Sequence, residues 1–164
     1  MNENRPEIPG LNLPPFTPRL RRDKMGRLTI YDPLRRDFFV VTPEELVRQN
    51  FVFWLTNFLH YPPEIMANET GISVNGAKRR CDTVVFRPGH TPLAVIEYKA
   101  PGIAISQQTF DQIVRYNSCL QADYLIVSNG LEHYCCKMDY EIGSYSFLKE
   151  VPDYRLIYST PRKE

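Results

Sequence analysis

RRCDTVVFRPGHTPLAVIEYKA, residues 79–100, reads as two strands joined by a turn-rich loop, and the rest of the chain is placed by working outward from it. The residues of the first half alternate, with Asp82, Val84 and Phe86 on one face and Cys81, Thr83 and Val85 on the other. Turn formers interrupt the pattern at Arg87-Pro88-Gly89-His90-Thr91-Pro92. Residues 93–99 make the second strand, with Leu93, Val95, Glu97 and Lys99 on one face and Ala94, Ile96 and Tyr98 on the other.

Antiparallel pairing through a symmetric loop sets Phe86 opposite Leu93. Counting four residues back on one strand and four on along the other sets Asp82 opposite Glu97. Opposed residues in such a ladder have Cβ atoms roughly 4.5–5.5 Å apart, so two carboxylates there repel unless something positive lies between them. Lys99 supplies one nearby cation and a divalent metal would supply more. A small set of oxygen ligands, completed by water and substrate phosphate, is what Mg²⁺ prefers.

The chain has 164 residues, a length that suits one domain with a single core. Its 43% hydrophobic and 12% aromatic content is that of an ordinary soluble protein, and its net charge of +1 excludes a global basic field for nucleic acid. Any phosphate-binding surface must therefore be local. Cys81, Cys119, Cys135 and Cys136 form no CxxC pair suited to zinc or redox work, and the apolar settings of Cys81, Cys119 and Cys135 suit small buried hydrophobes. The sequence carries no signal peptide and no apolar run long enough to span a bilayer, so the compartment expected is the cytosol and no membrane partner is expected.

Residues 1–27 are expected as an extended, Pro-rich N-terminal arm, and residues 28–164 as one domain. Short strands are expected at 28–31 and 38–41. Thr42-Pro43-Glu44-Glu45 starts a helix, with Thr42 as N-cap, Pro43 at the first position and Glu45 reaching back to complete a capping box. That helix should run to about residue 59 and bury Val47, Phe51, Trp54, Leu55 and Phe58, with Glu44 heading the inward face. A hairpin joins Ile72-Ser73-Val74 through Asn75-Gly76 to an arm beginning near Ala77, which leads through Lys78, Arg79 and Arg80 into the Asp82 strand, and these three cations are candidates for holding a phosphate backbone. A second helix over 107–120 aligns Gln108, Gln112 and Tyr116 along one face. Strands at 124–127 and 132–138 follow, then a helical turn at 145–151 and an edge strand at 154–158. No Walker-type Gly-rich loop occurs, so a motor ATPase is not part of this chain.

The order Asp82, then Glu97-Tyr98-Lys99 at the end of the next strand, resembles the active-site motif of the PD-(D/E)xK nuclease superfamily, with Cys81 in place of its lead Pro. Taken in order, TPEELVRQ, KRRCDTVVF, LAVIEYKAP, FDQIVRYN and YLIVSNG resemble the N-terminal nuclease domain of the type I restriction enzyme R (motor) subunit. The resemblance implies an α/β, restriction-endonuclease-like mixed sheet flanked by helices, with an αβββαβ core. It implies a Mg²⁺- or Mn²⁺-dependent DNA endonuclease in which Asp82, Glu97 and the Tyr98 carbonyl hold the metal and Lys99 is the catalytic lysine. The first-helix acid of the family falls at Glu44, with Glu45 as the other candidate, and Gln112 and Tyr116 match its Q-x-x-x-Y motif. Implied partners are DNA and the translocase, specificity and methylation subunits of a restriction complex.

Two rival readings remain at this point. One is a non-catalytic nuclease-like module that binds DNA or a partner; the intact Asp82, Glu97 and Lys99 argue against it, because binding alone needs no such set. The other is a Cys-His hydrolase built on Cys135 and His133, which lacks an orienting acid.

Overall fold

The computed structural model describes residues 10–74, 76–117 and 120–159, apart from the side chains of Val74, Ala77, Arg79 and Tyr116. The arm 1–9, Asn75 of the expected hairpin turn and Cys119 thus lie outside the described residues.

A small antiparallel sheet comes first, with strands β1 (Leu20–Arg22), β2 (Leu28–Asp32) and β3 (Asp37–Val40) in that order. β1 falls within the stretch expected as an extended arm. The β2–β3 turn is held by Asp32, whose Oδ1 accepts from the Leu34 and Arg35 amides at 2.7 and 3.0 Å. Helix α1 (Pro43–Asn57) follows, and Thr42 caps it by accepting the Glu45 amide at 3.0 Å. Its Val47, Phe51 and Leu55 are fully buried, but Phe58, expected in the same stripe, is the C-cap residue and half exposed.

The main sheet has the order β4 (Met66–Val74), β5 (Ala77–Phe86), β6 (Pro92–Tyr98), β7 (Tyr124–Ser128), β8 (His133–Asp139) and β9 (Ser144–Phe147). Every neighbouring pair is antiparallel except β6–β7, and helix α2 (Gln107–Asn117) makes the crossover that a parallel pair requires. The sequence α1-β4-β5-β6-α2-β7 is the expected αβββαβ core.

β6 and β7 read as continuous apolar runs because both their faces are covered. Ala94, Ile96, Tyr98, Tyr124 and Ile126 join Val47, Phe51 and Leu55 of α1 in one cluster, while Leu125 and Val127 pack with Phe110 of α2 on the other side. Each buried Ile, Leu or Val contributes about 1.5–3 kcal/mol relative to exposure.

Three expectations need correction. Thr83↔Ile96, Val84↔Val95 and Val85↔Ala94 keep the expected register, but an irregularity at Val85/Phe86 pairs Phe86 with Pro92, not Leu93. The hairpin's first strand begins at Met66, well before residue 72. At the C-terminus the order is reversed, with the edge strand β9 first and a short helix, α3 (Tyr154–Ile157), after it. None of the helices among the described residues is long and apolar enough to cross a membrane.

Candidate active site

The ladder between β5 and β6 ends at Thr83↔Ile96, and the next rung would have joined Asp82 to Glu97. There the Tyr98 amide donates to Asp82 Oδ2 at 2.9 Å, so a side chain takes the place of a backbone acceptor just where the strands part. Both acids are about a quarter exposed, at 24% and 28% of their side chains, and they line an open cavity of about 340 Å³ with Arg80, Gln112 and Ile113. Lys99 Nζ lies 3.8 Å from Glu97 Oε1.

The two carboxylates are electrostatically strained against each other. Burial first, and Asp82 beside it second, push the Glu97 carboxyl up to about 7; Lys99 opposes this and Glu44 adds to it. Burial also raises the Asp82 carboxyl, against the Tyr98 hydrogen bond and Arg48, with Glu69 and Glu44 adding to the rise. Protons on carboxyls that sit side by side are what a cation would replace.

Glu44 and Glu45 have separate fates. Glu44 is exposed, not inward, yet close enough to raise both site acids. Glu45 is buried, and its carboxylate does not turn back to the Thr42 amide as the capping box required. It accepts from Arg35 Nη2 at 2.5 Å, Arg48 Nη1 at 3.0 Å and Gln49 Nε2 at 2.9 Å. Glu45 is thereby committed to two arginines and a glutamine, while Glu44 lies outside the residues lining the cavity and acts on both site acids through its charge.

Gln112 reaches the cavity, whereas the side chain of its motif partner Tyr116 lies outside the described set, as does that of Arg79. Arg80 lines the cavity and its Nε pairs with Glu69 Oε2 at 2.5 Å; Lys78 is exposed further along β5. The Tyr98 ring points the other way, its hydroxyl within 2.8 Å of Thr83 Oγ1, which donates to Asn68 Oδ1 at 2.6 Å; Asn68 in turn donates to buried Asp32 at 2.9 Å. This chain of side chains ties the floor of the site to the small sheet.

Sequence reasoning missed Arg48 and Glu69. Arg48 is buried, pairs with both Glu45 and Glu69, and sits 3.6 Å from Asp82 Oδ1. Its spacing of three from Glu45 on one helix face was the available signal. Glu69 comes from a strand with no motif of its own. Against the Cys-His rival, the Cys135 thiol is pushed up to about 12 by burial, and His133 is taken up by Ser128 Oγ and the Asn12 carbonyl, both at 2.8 Å.

Among the described residues, no three His, Cys, Asp or Glu side chains come close enough to hold a metal by themselves. Two carboxylates opening on a solvent-filled cavity nonetheless fit Mg²⁺, which keeps several waters and takes its remaining ligands from phosphate. A larger cavity of about 410 Å³, bordered by Phe16, Tyr31, Leu34, Val52 and Phe53, is lined by no carboxylate and shares no residue with this one.

Comparison with known proteins adds two findings. The model of the family described as type I restriction enzyme R protein N terminus matches residues 43–152. A solved fragment from Vibrio vulnificus YJ016, described as an HsdR subunit of a type I restriction enzyme, superposes with a TM-score of 0.51 at 17% identity, over 72% of this chain and 25% of that one. At that identity the likeness speaks for the fold, and this chain spans about a quarter of that fragment's length. Comparison with curated proteins found no match.

Proposed function

We propose, from the premise that this chain belongs to the type I restriction enzyme R protein N-terminus family, that Asp82, Glu97 and Lys99 form a Mg²⁺-dependent site hydrolysing DNA phosphodiester bonds. The observation that carries this reading is the parting of β5 and β6 beside Asp82, which leaves two mutually repelling carboxylates open to solvent with one lysine beside them.

Asp82 and Glu97 would hold the ion, with the Tyr98 carbonyl as the third donor expected from the motif. Mg²⁺ when bound supplies charge neutralisation at the phosphate and a more acidic water. The chain's own groups do the rest. The Tyr98 amide fixes the Asp82 carboxylate through Oδ2, and Oδ1 lies 3.6 Å from Arg48 Nη2. Lys99 would orient the attacking water through a hydrogen bond to its oxygen, or meet the charge that develops on the phosphoryl oxygens. Arg80 at the cavity edge would meet a neighbouring phosphate, with Lys78 two residues along β5 extending that contact along the backbone, and Gln112 would position substrate from α2. Such contacts read no base identity, so sequence choice belongs to partner subunits: specificity and methylation subunits, with a translocase moving the DNA. A restriction complex of this kind works in the cytoplasm.

Supercoiled plasmid with Mg²⁺ or Mn²⁺ provides the test. Wild type is expected to nick, Lys99→Ala to lose about 10²–10³ in rate as a deleted transition-state donor does, and Asp82→Ala to lose cleavage and metal binding together. Equal nicking by all three, or no nicking by any with metal added, would overturn the nuclease reading and leave the non-catalytic binding module.

A further inference from the structure

One residue of β4 breaks the rules of its strand directly opposite Asp82. The β4–β5 ladder pairs Asn68 with Thr83 and Thr70 with Cys81 but skips the rung between them, where Glu69 would face Asp82. Glu69 has φ +52°, in the left-handed region that residues with a side chain rarely occupy. A strained residue beside a functional group is held there by its surroundings, and here the surroundings are two arginines. Glu69 Oε1 accepts from Arg48 Nη2 in a close contact, and Oε2 pairs with Arg80 Nε at 2.5 Å.

The same Arg48 Nη2 lies 3.6 Å from Asp82 Oδ1, beyond hydrogen-bond distance. Arg48 is 6% exposed and fixed on its other side by Glu45, so the nitrogen has two carboxylates to choose between, and Glu69 has it. Without Glu69, the shortest move open to a buried guanidinium losing a charge partner is toward Asp82. A full Arg48–Asp82 ion pair would then occupy the oxygen that a metal needs.

Resting on the nuclease reading above, we propose that Glu69 is a positioning residue: it draws Arg48 off Asp82, keeping Oδ1 open to a divalent cation, and at the same time anchors Arg80 at the cavity edge. The left-handed backbone is what lets one side chain reach both arginines.

Glu69→Gln removes the charge and keeps the shape; Glu69→Gly removes the carboxylate and suits the backbone angle. Manganese binding is measured without DNA, alongside thermal unfolding and a crystal structure of Glu69→Gln. Both variants are expected to stay folded and to bind Mn²⁺ at least about tenfold more weakly, the size typical of losing an outer-shell partner of a metal ligand. In the Glu69→Gln crystal, Arg48 Nη2 is expected within hydrogen-bond distance of Asp82 Oδ1. Unchanged Mn²⁺ affinity in both variants, or an Arg48–Asp82 separation still near 3.6 Å, overturns the proposal. If wild type itself takes up no Mn²⁺, the nuclease reading falls, and the position of Arg48 in the variant crystal alone decides the role of Glu69.

Discussion

A cation at Glu97, as proposed, would compete with a proton, because burial and the neighbouring Asp82 push its carboxyl up to about 7. Metal affinity should therefore climb between about pH 6 and pH 8 and flatten above that, a trend that calorimetric titration with Mg²⁺ would follow. Replacing Asp82 by Asn removes the second cause of the shift, so the Glu97 titration, followed by carboxyl NMR, should move down. The sign for stability is the reverse of a salt-bridged acid's. A carboxyl whose folded value lies above its reference of 4.5 stabilises the metal-free protein most at acid pH, and loses that contribution as pH rises toward 7. Added Mg²⁺ should restore the loss at neutral pH, seen as a Tm increase that Asp82→Ala lacks. Alternation within each strand and an antiparallel register brought Asp82, Glu97 and Lys99 together, whereas the capping box expected of Glu45 gives way to its arginines. What no local pattern could reveal was the partner of Arg48 from another element: Arg48 and Glu69 are 21 residues apart and meet only through the tertiary fold.

At the level of elements, α1 does two jobs with neighbouring faces. Val47, Phe51 and Leu55 pack on the sheet, while Glu45 and Arg48 form ion pairs with Arg35 and Glu69. Glu45→Gln leaves buried Arg48 and half-buried Arg35 each one carboxylate short and should cost about 3 kcal/mol in denaturant unfolding. The docking of residues 10–13 onto the β7–β8 turn is a second such joint. The Asn12 amide donates to the Gly130 carbonyl at 2.8 Å, and a Cβ at Gly130 would stand 2.8 Å from Leu11 Cδ2 and 3.1 Å from Val47 Cγ2 at φ +84°. Gly130→Ala is expected to lose about 1–3 kcal/mol from the forbidden backbone angle alone, and to expose the 10–13 segment to limited proteolysis. Elements with one strong period, α1, α2 and β5 to β7, were legible in the sequence. The first half of β4 was not, because Met66-Ala67-Asn68-Glu69-Thr70-Gly71 has no apolar alternation: Asn68 is buried with its hydrogen bonds to Asp32 and Thr83, and half-buried Glu69 is held by its arginines. The reversed order of β9 and α3 has a similar origin, since Tyr145 and Phe147 pack with Phe110 through aromatic contacts that suit either period.

Across the whole molecule, a sheet covered by α1 on one side and α2 on the other leaves a solvent-facing cavity at the C-terminal end of β6 that Asp82 and Glu97 share, with Lys99 Nζ 3.8 Å from Glu97 Oε1. On the proposed backbone-only contact, nicking is expected to show no base preference, and DNA affinity to fall steeply with salt, as backbone contacts do; sequencing of nick positions and a salt series of binding titrations would check both. The most direct measurement is anomalous diffraction from crystals soaked in Mn²⁺. The account predicts an anomalous peak bridging the carboxylates of Asp82 and Glu97, lost in Glu97→Ala crystals. A peak elsewhere, or none at that position at pH 8 with Mn²⁺ in excess, would contradict it.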